Sequence, residues 1–126
     1  MLEFINKSPV TPVQPYSAAV KAGNHVFVSP QSGHLNTGTN QKITAVEDQT
    51  VQCVENIRSA LQAAGASIDD VVDMVILQRT NWSGLNKVLQ PAIGKASPAR
   101  THIMTAFGNL DVLIMIGCTA YIPGKK

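Results

Sequence analysis

A chain of 126 residues with 14% charged residues and a formal net charge of +2 has the size of one domain, and residues 1–126 are read as one. Its field is weak for a nucleic-acid reader, and 5% aromatic content leaves few surfaces on which bases could stack, so nucleic acid is not an expected partner. No stretch in Met1 to Lys7 has the length of a secretory apolar core and no later run reaches a membrane span, so the expectation is a soluble, cytoplasmic protein.

The opening Leu2-Glu3-Phe4-Ile5 reads as a short edge strand. Pro9, Pro12 and Pro15 then exclude regular structure and predict a surface segment. Ser17 to Val20 and His25 to Val28 predict a hairpin turning at Gly23-Asn24. Residues 30–43 carry Pro30, Gly33, Asn36, Gly38 and Asn40, which predicts a loop that leads to a helix and borders a site. Thr44-Ala45-Val46-Glu47 has the form of a capping box. The helix it opens should run from Ala45 to Ala64 on the spacing of Val51, Val54, Ile57, Leu61 and Ala64, with Gly65 as its left-handed stop.

Ser67 to Asp70 can cap one further turn, and Val72 to Leu77 is short and β-branched, so it reads as a buried strand. Asn81 is a candidate cap for a second helix carrying Leu85, Val88, Leu89 and Ile93, although Gly84 and Pro91 oppose it. Thr101 to Thr105 and Val112 to Tyr121 predict two strands that pair with each other across Phe107-Gly108-Asn109. The total is an α+β domain, a sheet with helices on one face. Cys53 and Cys118 lack metal-type or CxxC spacing and are read as buried thiols. The low charge count predicts apolar surface covered by partner subunits.

Four stretches, in order, carry a resemblance: Pro15-Tyr16-Ser17-Ala18-Ala19-Val20; Val26-Phe27-Val28-Ser29-Pro30-Gln31; Val54-Glu55-Asn56-Ile57 with Ala63 to Val72; and Ser97-Pro98-Ala99-Arg100-Thr101. Together they resemble the RidA/YjgF family over nearly the whole chain. The resemblance implies a chorismate-mutase-like α+β fold, a mixed sheet with two helices on one face, assembled as a homotrimer with ligand clefts between subunits. It implies hydrolytic deamination of reactive enamines and imines, such as 2-aminoacrylate or 2-iminobutanoate, to a 2-oxo acid and ammonia, with no cofactor or metal. Arg100 matches the residue that anchors a substrate carboxylate, a task suited to the planar guanidinium fork. Tyr16 matches a cleft tyrosine, and Ser29 and Asn86 match polar positions near it. The alternatives are a structural ion pair for Arg100, an interface role for Tyr16 and helix bonding for Asn86.

Three positions depart from that pattern. Gly117 stands where the family's enzymes carry a glutamate near the attacking water, and glycine cannot exchange a proton. His102 stands where a cysteine is common; two residues from Arg100 on a strand, it points the same way, and its imidazole is a candidate proton carrier or a packing residue. Gly117 is expected to make room for that ring. Pro30 replaces a glycine, which removes a backbone donor. His25 and His34 are weaker candidates, and Cys118 reads as a core thiol. Three functions follow: a deaminase with relocated acid/base chemistry, a non-catalytic trimer that binds a small carboxylate, and, last, an endoribonuclease, which would want basic grooves.

Overall fold

The computed structural model describes residues 2–5 and 16–123. The Pro9, Pro12 and Pro15 segment and Lys125-Lys126 lie outside the described residues. Six strands, β1 (Leu2–Ile5), β2 (Ala19–Ala22), β3 (His25–Ser32), β4 (Val71–Gln78), β5 (Ala99–Met104) and β6 (Ile114–Tyr121), form one sheet in the order β1-β2-β3-β6-β4-β5. Helix α1 (Val46–Ala63) follows β3, and α2 (Leu85–Ile93) connects β4 to β5. β5 runs parallel to β4 while every other pair is antiparallel. A parallel pair needs such a crossover, and α2 supplies it.

The predicted hairpin forms, with Ala22 opposite His25 and Gly23 at φ +60° in the turn. Gly65, at φ +83°, lies just past α1, the backbone conformation that stops a helix. Elsewhere the fold corrects the sequence reading. The last two strands do not pair with each other, because β4 lies between them. Composition explains the split. Ile114-Met115-Ile116-Gly117-Cys118 is almost continuously apolar and suits a central position, whereas β5 carries Arg100, Thr101 and His102, is exposed at all six positions and suits an edge.

The capping box at Thr44 does not form either; α1 is capped at Ala45 without a side-chain bond. The approach to the helix is held instead by buried Gln49. Its Nε2 donates to the carbonyls of Ile43 and Asp111, and its Oε1 accepts from the Leu113 amide. Asn81 caps nothing: α2 starts after Gly84, where a Cβ would sit 2.7 Å from Trp82 Nε1, so the indole packs on the bare glycine. Val51, expected on the buried stripe, is exposed; the stripe runs through Cys53, Val54, Ile57, Ala60 and Leu61.

These α1 residues, with Leu85, Leu89 and Ile93 of α2, bury one face of the sheet, formed by Val26, Val28, Met74, Ile76, Ile114, Ile116 and Cys118. Partners across a ladder share a face. The opposite face therefore carries Phe4, Phe27, Val75, Leu77, Ile103, Met115 and Tyr121. Phe4, Phe27, Ile103 and Tyr121 are exposed there. His25 stacks beside Phe27 with ring centroids 6.2 Å apart and lies tilted against Tyr121 at 5.2 Å.

Both cysteines are buried free thiols. Burial pushes Cys118 up from an ordinary 9.0 to about 12, helped by nearby Asp73, and raises Cys53 further. Both thiols stay protonated in the folded chain above pH 9, where they ionise once exposed. The folded state then binds more protons than the unfolded one, so stability falls as pH rises above 9 toward 12. Urea unfolding at pH 8 and pH 10.5 should show the loss, and Cys118→Ala should reduce it.

Candidate functional site

The chemistry collects at the β5 edge. Arg100 pairs with Met74 and His102 with Ile76, so both side chains lie on the helix side of the sheet, at its margin. Helix α2 brings Asn86 alongside, and Arg100 Nη2 donates to Asn86 Oδ1 at 2.8 Å. The ion pairs among the described residues are Lys42 with Asp111 and Arg58 with Glu55. No carboxylate among those residues neutralises Arg100, which disposes of a structural ion pair within that set. An open cleft of about 270 Å³ adjoins the guanidinium, lined by Gln90, Ile93, Ala96, Ser97, Pro98 and Arg100.

Tyr16, Ser29 and Gly117 form a second group. The Ser29 hydroxyl donates to the Ser17 carbonyl at 2.7 Å and its amide to Ala18 at 2.9 Å, which ties the segment bearing exposed Tyr16 to β3. Pairing of β3 with β6 slips between Val28 and Gln31, and Pro30 sits in that bulge, where the missing amide proton is tolerated. A Cβ on Gly117 would lie 3.1 Å from Pro30 N, 3.2 Å from its Cα and 3.2 Å from its Cγ. The proline thus occupies the space that a side chain at 117 would need.

The expected juxtaposition of Gly117 and His102 does not occur. Gly117 pairs with Val75, which pairs with Thr101, so Gly117 shares a face with Thr101 and opposes the face of Arg100 and His102. From the Ser29 bulge to β5 is three strand spacings, roughly 14 Å. Within one chain, Arg100, Asn86 and His102 come together, and Tyr16, Ser29 and Gly117 stand apart from them.

His34 has a separate setting, with Nδ1 3.1 Å from Ser32 Oγ and Nε2 3.4 Å from Asn109 Nδ2. It lines a hollow of about 170 Å³ with Lys42, Thr44 and Asp111. The described residues contain no cluster of His, Cys, Asp or Glu able to hold a metal ion, and no helix among them is long and apolar enough to cross a membrane. Gln90, Ser97 and Pro98 were not marked by their residue types, but a signal was available. Asn86, Gln90 and Ile93 recur at i, i+4 and i+7, which puts the cleft wall on the helix face that carries Asn86.

A family model described as Endoribonuclease L-PSP matches residues 6–122. The chain is 34% identical over 126 residues to a RutC family protein of Pyrococcus horikoshii, covering 94% of each chain. It is 34% identical over 98 residues to a 2-iminobutanoate/2-iminopropanoate deaminase of Dermatophagoides farinae, covering 75% of this chain and 76% of that one. The crystal structure of RidA from the Antarctic bacterium Psychrobacter sp. superposes with a TM-score of 0.80 at 32% identity, over 93% of this chain and 95% of that one.

Proposed function

Since this chain belongs to the endoribonuclease L-PSP family, the RidA/YjgF family of its relatives, we propose that it is a hydrolytic deaminase of small 2-imino and enamine acids, acting without cofactor or metal. The observation that carries this reading is Arg100: an exposed guanidinium held by neutral Asn86 at 2.8 Å, with no acidic partner among the described residues. Such a group is ready for a ligand carboxylate, which its fork can take in two charge-assisted bonds.

The reaction is a proton and water exchange. Protonation of the enamine carbon gives an iminium acid. Water adds to the C2 carbon, a proton moves to nitrogen, and ammonia leaves as the C=O bond forms. Arg100 fixes the carboxylate, and His102, on the same side of β5, carries the proton. Such substrates hydrolyse unaided, so positioning suffices for part of the rate. The active form is a homotrimer. Support comes from the uncovered apolar sheet face and from the split site, since a neighbouring copy can bring Tyr16, Ser29 and Gly117 toward Arg100. A second reading, a trimer that binds a small carboxylate without turning it over, is favoured by the Pro30–Gly117 contact, which leaves no acid/base group on β6 at that position.

The test is release of 2-oxo acid from freshly generated 2-aminoacrylate and 2-iminobutanoate, with light scattering on the same sample for the mass of three chains, about 40 kDa. Wild type should exceed buffer, and His102→Ala should lower kcat about 100-fold with little change in KM. A wild-type rate equal to buffer would support the binding reading.

A further inference from the structure

We infer that the preferred ligand of the Arg100 site is a dicarboxylic 2-oxo or 2-imino acid, a narrower class that rests on Arg100 being a carboxylate anchor. The first ground is charge. Between Met74 and Leu110 the sequence has no Asp or Glu, while Arg79, Lys87, Lys95 and Arg100 all fall there. Arg79 is committed to a loop, donating to the carbonyls of Val112 at 3.0 Å and Asn109 at 2.9 Å. Lys87, Lys95 and Arg100 are exposed on α2, on the turn after it and on β5. The chain segment that builds the cleft is therefore cationic, and the carboxylates nearest it in space are turned away or paired: Asp73, opposite Ala99, lies on the other sheet face from Arg100, and Glu55 is ion-paired with Arg58.

The second ground is the cleft itself. At about 270 Å³ and open to solvent, it does not confine the ligand to a four-carbon acid. Two polar residues besides Arg100 line it, Ser97 and Gln90, the latter with its Nε2 donating to the Gly94 carbonyl at 3.2 Å. An alkyl tail would strip water from these groups without replacing its bonds, whereas a second carboxylate accepts from them and gains from the neighbouring lysines. Lys95 immediately precedes Ala96 and Ser97 of the cleft wall, and Lys87 follows Asn86.

Calorimetric titration with three product-like acids separates the possibilities: 2-oxobutanoate, short; 2-oxohexanoate, long and apolar; and 2-oxoglutarate, long with a second carboxylate. The expected result is that 2-oxoglutarate binds about tenfold tighter than either of the others. The preference should shrink in 0.5 M NaCl and vanish in the Lys87→Gln/Lys95→Gln double variant, whose two positions are exposed. Equal affinities for all three acids, abolished by Arg100→Ala, would overturn the dicarboxylate class while sparing the carboxylate anchor. Tightest binding of 2-oxohexanoate would also overturn it. No binding of any acid would overturn both.

Discussion

Arg100→Ala should lower kcat/KM for 2-iminobutanoate about 1,000-fold while leaving the thermal midpoint within about 2 °C of wild type. A hydrogen bond to a charged group contributes about 2 kcal/mol, so losing a bidentate pair removes about 4 kcal/mol, and each 1.4 kcal/mol is a factor of ten. The fold should not feel the change. Arg100 is exposed, and the side-chain bond it makes among the described residues, to Asn86 Oδ1, is also exposed. Arg100→Lys keeps the charge but not the planar fork, so it should recover only about tenfold of the loss. Steady-state kinetics beside thermal unfolding separate a lost anchor from a damaged protein. A variant of unchanged activity would move the site away from the β5 edge.

Gly117→Glu should destabilise the sheet, and Pro30 is the reason. The new Cβ would meet the Pro30 backbone N at 3.1 Å and Cα at 3.2 Å, atoms that cannot swing aside as the tip of a flexible side chain can. Overpacking of this kind costs about 1–3 kcal/mol, and an unpaired carboxylate at a buried position adds to it. The expected fall in the thermal midpoint is about 10 °C. Pro30→Gly in the same chain removes the ring and loosens the bulge, so the double variant should regain more than half of the loss. Independent effects would simply add. Thermal unfolding of the two single variants and the double variant measures the coupling, and strict additivity would show that the contact is not what excludes a side chain at 117.

Much of the architecture was legible because it rests on local signals. The Gly23-Asn24 turn, the α1 periodicity with its Gly65 stop and the β-branched run of β4 each determine their own element. Strand order was not legible, since it depends on which segments tolerate exposure. β6 displaced the expected pairing because its almost continuously apolar run from Ile114 to Cys118 suits a place where both strand edges are paired. Capping failed at Thr44 and Asn81 for a tertiary reason in each case: Gln49 bonded the segment before α1, and the Trp82 indole packed on Gly84. For the site, the alternation of β5 put Arg100 and His102 on one side as expected, and the resemblance marked Asn86. The place of Gly117 could not be read. Its face depends on a β3–β6–β4–β5 register, including the slip at Pro30, that no local pattern encodes.

The strand order also constrains how the chain can be made. β3 and β4 flank β6, so the strand between them leaves the ribosome after both of its neighbours. Until then the nascent chain holds a β1-β2-β3 hairpin system and a β4-α2-β5 unit, each with an unpaired edge and with α1 lacking half of its floor. Closure is therefore a late, long-range event, which slows folding and leaves apolar strand edges open to other chains. Ribosome stalling before Ile114 should accordingly yield a chaperone-bound, protease-sensitive nascent chain, and clearing Tyr121 from the exit tunnel should convert it in one step to a resistant one.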